Sequence, residues 1–314
     1  MKTENDMQEN DMLTFAAEED DIGKRIDVFA AENYDELSRS GIKKIIDAGG
    51  MLVNGKAVKA NYKIRKADVA TMILPESEPL EIIAQDIPLD ILYEDDDVIV
   101  INKPQGMVVH PAPGHYTDTL VNALLYHCGE SLSGINGVLR PGIVHRIDMD
   151  TSGVIMAAKN NNAHRSLALQ LAEHSITRKY NAIVYNNIKE DEGTVDRPIG
   201  RNSQDRKKMA VVQAGGRRAV THYRVLDRLG KFTYIEAQLE TGRTHQIRVH
   251  MTYIGHPLLG DGVYGPKKQP LNLKGQVLHA RVLGFIHPRT GEYMEFESPL
   301  PDYFVKLLDK CRQI

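Results

Sequence analysis

The chain has no tryptophan, and aromatic residues make up only 6% of it. A carbohydrate site that grips sugar rings on indole platforms is therefore disfavoured. Only two cysteines occur, Cys128 and Cys311. They lie far apart and match neither a disulfide framework nor a zinc-ligand spacing, so reduced thiols and no metal are expected. No apolar run approaches the roughly 20 residues that a membrane-spanning helix needs. The opening Met1-Lys2-Thr3-Glu4-Asn5-Asp6 has no apolar core behind a basic flank. The expected location is the cytoplasm, with no membrane partner. Net charge is small as well, −3 over 314 residues.

That small sum hides an uneven distribution, and steering depends on where charge sits. Acidic residues crowd the N-terminus (Glu4, Asp6, Glu9, Asp11, then Glu18 to Asp21) and recur at Glu94-Asp95-Asp96-Asp97. Between Arg197 and Arg224 the balance reverses: Arg197, Arg201, Arg206, Lys207, Lys208, Arg217, Arg218 and Arg224 face a single Asp205. Such a run is either a solvated hairpin or a phosphate-binding surface. Hydrophobic residues at 42% and charged residues at 26% are ordinary for a soluble globular protein with room for two or three domains.

Residues 1–12 read as a polar tail and residues 13–75 as a small module. Ile26, Phe29 and Ala30 recur at helical spacing, and Ser38-Arg39-Ser40 offers an N-cap before Ile42, Ile45 and Ile46. Gly49-Gly50 ends that helix, and Met51-Leu52-Val53 turns at Asn54-Gly55 into Lys56-Ala57-Val58 as a hairpin. Residues 76–88, rich in proline and acid, read as a linker. In the remaining 89–314 a strand is expected at Val98–Ile101, then short helices near Leu120–Leu125 and Ala163–Ser175. Strands follow at Tyr180–Tyr185, Lys208–Gln213, Val220–Leu226, Thr233–Leu239, Val277–Leu283 and Tyr293–Glu297. Strand runs with few interposed helices predict an α+β fold with a mixed, mainly antiparallel sheet.

Three segments carry unusual polar content for their place in this pattern. The first, His145-Arg146-Ile147-Asp148-Met149-Asp150-Thr151-Ser152-Gly153, puts a carboxylate beside a cation just before the apolar run Val154–Ala158, where a turn feeding a buried strand holds a side chain rigidly. The second is Thr177-Arg178-Lys179-Tyr180, and the third Thr241-Gly242-Arg243-Thr244-His245-Gln246-Ile247-Arg248-Val249-His250. In the third, Ile247, His250, Met251 and Ile254 share a helical face, Thr241 or Thr244 is a candidate cap, and Arg248 falls off the apolar face, free to reach the mouth of the sheet. A guanidinium beside a carboxylate favours its charged form. Taken singly, each residue has a plainer reading: Asp148 as a turn-capping carboxylate, Tyr180 as a half-buried sheet tyrosine with Tyr185 as rival, Arg248 as a surface helix cation. His145, His245, His250 and His279 invite a metal, but His245 and His250 are badly spaced to converge and no His-Glu-x-x-His arrangement is present.

Gly23-Lys24-Arg25-Ile26-Asp27, Ser38-Arg39-Ser40 and Val53-Asn54-Gly55 together resemble an S4 RNA-binding domain of small α/β type, which implies phosphate contacts from Arg39, Lys43 and Lys44. The three polar segments, with His110-Pro111-Ala112-Pro113-Gly114, Gly260-Asp261-Gly262-Val263-Tyr264-Gly265 and Leu278-His279-Ala280-Arg281, resemble the RluA/RluD family of RNA pseudouridine synthases over nearly all of residues 14–305. Ile147 stands where that family has Leu. The resemblance implies a cofactor-free isomerisation in which Asp148 is the catalytic carboxylate, Tyr180 stacks on the base, and Arg248 pairs with Asp148. Arg146 is implied to fill the space of an extruded base or hold a phosphate, and Arg243 and His245 are RNA-contact candidates. The implied partner is large-subunit ribosomal RNA, free or in an assembling subunit, with a monomer as the default state. Two competing readings are a non-catalytic S4-type RNA-binding or ribosome-assembly factor, and a glycoside hydrolase using Asp148 with Asp150.

Overall fold

The structure, a computed structural model, describes residues 12–17, 21–33, 39–73, 82–111, 115–129, 131–133, 141–202, 204–205 and 208–313. Nearly all of the expected tail, the linker up to residue 81, residues 112–114 of the Pro/Gly loop, and Arg206 and Lys207 lie outside them. The chain divides into two compact units, Met1–Leu80 and Glu81–Ile314.

In the first unit β1 (Met12–Ala16), α1 (Ile26–Asn33), α2 (Arg39–Asp47), β2 (Met51–Val53), β3 (Lys56–Ala57) and β4 (Val69–Ile73) form a four-stranded sheet of order β1-β4-β2-β3 beside a helix pair. Ile26, Phe29, Ile42, Ile45 and Ile46 of the helices close over Met51, Val53, Ala70 and Met72 of the sheet. Both residues of the Asn54-Gly55 turn have positive φ, 51° and 76°, the geometry that matches a two-residue hairpin to strand twist. Gly49 (φ 82°) ends α2 as expected, its amide and that of Gly50 bonding back to Ile46 and Ile45. Lys43 and Lys44 point outward from α2, because the apolar stripe takes Ile42, Ile45 and Ile46.

In the second unit the elements are β5 (Ile91–Glu94), β6 (Val98–Lys103), α3 (Leu120–Cys128), β7 (Ser152–Ala158), α4 (Asn161–Ala172), β8 (Thr177–Tyr185), β9 (Glu192–Asp196), β10 (Ile199–Arg201), β11 (Met209–Val211), β12 (Val220–Leu229), β13 (Phe232–Leu239), α5 (Gln246–Tyr253), β14 (Leu278–Ile286), β15 (Tyr293–Glu297) and α6 (Asp302–Arg312). Among the described residues, one nine-stranded sheet runs β5-β6-β7-β14-β8-β13-β12-β9, with β15 also on β14. The β7–β14 pair is parallel and the other pairings are antiparallel. The fold is the expected α+β arrangement. In this unit β5, β9, β10 and α6 went unanticipated, as did β1 and β4 in the first. Strands β5 and β9 are short and lie at the sheet edges, where alternation is weak; α6 did carry a signal, since Phe304, Leu307, Leu308 and Cys311 recur at helical spacing and are all buried.

Both faces of the sheet are covered, which is why β7 is buried at every position and reads as an unbroken apolar run. Ile155 and Ala157 join Tyr180, Ala182, Ile247 and Met251 on one face; Val154, Met156 and Ala158 join Ala163 and Leu167 of α4 on the other. At the start of β7, Gly153 (φ 107°) lies so close to β14 that a Cβ there would collide with the Ala280 carbonyl. Gly153→Ala is therefore expected to lose about 3 kcal/mol or more of stability, from left-handed strain plus overpacking against backbone. A urea midpoint unchanged from wild type would refute this.

Candidate active site

Asp148 sits in the loop entering β7, Tyr180 on β8, and Arg248 in the first turn of α5; all three line one cleft of 450 Å³, together with Arg146, Arg243 and His245. The central sheet order β7-β14-β8 brings the first two together, and α5, which follows β13, packs on the same face.

The loop carrying Asp148 is fixed from below. Lys103 is fully buried and its ammonium donates to the carbonyls of Pro104 (2.9 Å), Met107 (2.8 Å) and Met149 (3.0 Å). Burial pulls its pKa down to about 7. The Gly106 amide donates to the same Met149 carbonyl, and the Thr151 amide to the Asp148 carbonyl. With its backbone held, the Asp148 carboxylate accepts from Arg248 Nη1 at 2.8 Å, and His245 Nε2 stands 3.9 Å from its other oxygen.

Arg248 is only 5% exposed. The expectation that it falls off the apolar face is corrected: Gln246 through Met251 are all buried, Ile247 and Met251 against the sheet and Val249 against Ile199 and Ala219. A buried guanidinium requires compensation. Asp261, 0% exposed, provides it through a bidentate pair, Nε to Oδ2 at 2.7 Å and Nη2 to Oδ1 at 3.0 Å. Burial works against the Arg248 charge, but Asp261 and Asp148 outweigh it and hold its pKa above the usual range. Asp261 also accepts from the amides of Val263 and Tyr264, and the Arg248 guanidinium lies over the Tyr264 ring at 5.1 Å.

The expected threonine cap of α5 is also corrected. His245 occupies the N-cap in left-handed conformation (φ 57°, ψ 22°) without a side-chain cap bond. Thr241 instead donates to Gln246 Oε1 at 2.8 Å and accepts from the Val220 amide. Gln246 ties the 241–246 loop to β12 through Val220 and Thr221. His245 Nδ1 lies 2.8 Å from the Tyr264 hydroxyl, which already accepts from the Met209 amide. A hydroxyl proton donated to Nδ1 goes with the Nε2–H tautomer, which puts the N–H on the Asp148 side. Burial holds this imidazole below its usual pKa and so neutral near pH 7.

Tyr180 is 8% exposed, and burial raises its phenol pKa, with Arg178 opposing and Asp148 reinforcing. It offers a ring face and a neutral hydroxyl. Its rival Tyr185 packs on Phe232 and donates to Gln269 at 2.5 Å, away from the cleft lining. Arg146 is exposed at the rim, its Nη1 3.3 Å from His110 Nε2. Arg243 Nε donates to the Arg218 carbonyl at 2.9 Å. Asp150 is not in the cleft; it lies against Gly275, where a Cβ would collide with its carboxyl, so it does not form a carboxylate pair across the cleft with Asp148. Within the basic run, Arg218 pairs with Glu240 and Arg224 with Glu236. Lys43 and Lys44 belong to the other unit, and the Arg39 side chain lies outside the described residues.

The four histidines do not form a metal set. His145 accepts from the Met156 amide, His250 bonds Thr221 and the Arg197 carbonyl, and His279 bonds Ser152 and Ser298. Among the described residues, the groups near enough to share an ion are Glu94–His127–Cys128 and Asp95–Asp97–His287, and neither lines the cleft.

Asp261, Gln246 and Tyr264 were not assigned roles from sequence. Asp261 is flanked by glycines at 260 and 262, a signal for a constrained loop, but nothing in one dimension links it to Arg248.

Both units are similar to known proteins. Residues 97–253 match the RNA pseudouridylate synthase family and residues 24–69 the S4 domain. The uncharacterized RNA pseudouridine synthase YlyB of Bacillus subtilis is 56% identical over 301 residues, covering 96% of this chain and 98% of that protein. The ribosomal large subunit pseudouridine synthase D of Zymomonas mobilis is 50% identical, covering 90% and 92%. Among solved structures, human RNA pseudouridylate synthase domain containing 1 superposes with a TM-score of 0.57 at 28% identity, covering 76% of this chain and 90% of that one.

Proposed function

The chain belongs to the RNA pseudouridylate synthase family, and from that premise we propose that it isomerises specific uridines of large-subunit ribosomal RNA with Asp148 as the catalytic carboxylate. One observation carries the assignment: Asp148 is the carboxylate lining the cleft, held on a fixed loop by Arg248 and facing the Tyr180 wall. In the reaction the N1–C1′ bond of uridine breaks, the uracil turns, C5 bonds to C1′, and the C5 proton leaves while N1 gains one. Asp148 acts either as nucleophile at C1′ or the ring, or as the base that takes a C2′ proton. Tyr180 stacks on the base. A neutral His245 stands with its Nε2 3.9 Å from the Asp148 carboxylate. No step requires a cofactor.

A paired base is out of reach in such a cleft, so the nucleotide is extruded at a cost of a few kcal/mol, least in a loop. Arg146 at the rim is placed to fill the vacated stack or hold a phosphate. The S4 domain adds phosphate contacts through Lys43 and Lys44, whose outward direction follows from the packing of α2. Replacing both, Lys43→Ala with Lys44→Ala, should lower the slope of log affinity against log salt by about 1.5 while leaving the turnover of bound RNA unchanged. An unaltered slope in filter binding would remove them from the interface. Among the described residues no helix is long and apolar enough to cross a membrane, and the proposed workplace is the cytoplasm, on rRNA or an assembling subunit. Mapping carbodiimide-resistant adducts across rRNA from cells lacking the protein tests the assignment. Loss of one or more large-subunit pseudouridines supports it, and an unchanged map overturns it.

A further inference from the structure

Arg178 has no assigned role, yet among the described residues it is the buried cation of the cleft without an ion pair. It precedes Tyr180 by two residues on β8, so both side chains leave the same face of the sheet, and both line the cleft. Arg178 is 6% exposed. Its Nη2 donates to the Glu240 carbonyl at 3.0 Å, but its buried Nε has no hydrogen-bond partner among the described residues. Its Nη1 lies against Gly242: a Cβ there would stand 2.5 Å from it, so the guanidinium would have to shift. Where Arg248 has two carboxylates, no ion pair reaches Arg178 among the described residues, and Arg243 on the same wall adds a second positive charge. Burying a guanidinium without a counter-charge is costly in the free protein. The cost is offset when an anion arrives, and the guanidinium fork matches the oxygens of a phosphate, the anion that an RNA backbone carries.

Resting on the functional reading above, we propose that Arg178, seconded by Arg243, binds one backbone phosphate beside the extruded uridine. The Arg178 guanidinium is the donor group, and it lies at the cleft wall where residue 242 has no side chain. This contact anchors the nucleotide so that its base lies against Tyr180 and its sugar over Asp148.

The test is a cycle between protein and RNA. A large-subunit rRNA hairpin bound by the wild-type protein is synthesised with one uncharged methylphosphonate at a time through its loop, and Kd and pseudouridine yield are read for each. Wild type is expected to lose about tenfold or more in affinity at one loop position, the size of one charge-assisted hydrogen bond. Arg178→Met should carry that loss on unmodified RNA and show no further loss at that position. Gly242→Ala, which retains Arg178 but puts a methyl against Nη1, should behave likewise, and serves if the methionine variant does not fold. Losses that multiply at every loop position, or an unmodified-RNA Kd that neither variant changes, would overturn the proposal. A wild-type protein that binds the hairpin without converting any uridine overturns the catalytic reading alone, because the coupling is read in Kd.

Discussion

Asp148→Asn is expected to abolish pseudouridine formation, by at least about a thousandfold, while leaving the protein folded and still able to bind RNA. The exchange removes one charge and keeps the shape: the amide oxygen still accepts from Arg248 Nη1, which lies 2.8 Å from Asp148 Oδ2. The guanidinium keeps its bidentate pair with Asp261, so no buried cation is stranded. The Asp148 side chain is itself 22% exposed. Stability should therefore change by about 1 kcal/mol or less. The measurement is single-turnover conversion with saturating protein, beside a urea midpoint and a binding curve. Near-normal turnover would take Asp148 out of the mechanism, and a collapsed midpoint would show that the loop relies on the carboxylate for structure.

The opposite pattern is expected at Asp261. Its carboxylate is 0% exposed and accepts four hydrogen bonds, two from Arg248 and one each from the Val263 and Tyr264 amides. Asp261→Asn puts an amide NH₂ against donors and leaves Arg248 under-compensated, and breaking a buried pair from one side costs about 3–5 kcal/mol. Activity should fall with stability, because the guanidinium that holds Asp148 loses its own support. Acid should expose the same group. Burial opposes its charge, but the Arg248 bonds and the two amides prevail, so the folded carboxyl titrates below its usual range. A depressed carboxylate contributes stability that is present above the unfolded value near pH 4 and is lost as pH falls through the folded one. Part of the acid-unfolding limb of the wild type should therefore be missing in Asp261→Asn. A variant with the wild-type midpoint at pH 7 and the same acid limb would show that Arg248 does not depend on Asp261.

The two variants separate chemistry from architecture. Asp148 was legible in the chain because its neighbours are contiguous: an apolar strand follows, a cation precedes, and a turn lies between. Tyr180 was legible for a similar reason, and Tyr185 fell away as its rival once Gln269 and Phe232 were found to engage it. Arg248 was found, but its surroundings were misread. Periodicity gave α5 one apolar face, whereas the β10–β11 hairpin and Ala219 cover Val249 on another side, so the first two turns have no solvent face. The cap was misread because Gln246, not a threonine, organises the loop, and a side chain that reaches back to β12 leaves no periodic trace. Edge strands β5 and β9 were missed because a strand exposed on its flank need not alternate.

From its sequence alone, then, most of this protein's element types, its division into a small module and a larger unit, the absence of long apolar spans and the candidacy of Asp148 followed, since each depends on residues adjacent in the chain or repeating at a fixed period. The charge balance of the cleft was decided only by tertiary structure. Arg248 has a carboxylate partner and Arg178 has none among the described residues, because Asp261 folds back to the first and no described acidic side chain reaches the second. Compensation of a buried charge is a matter of a few ångströms in space, and residues 248 and 261 or 178 and 242 carry no mark of that distance along the chain.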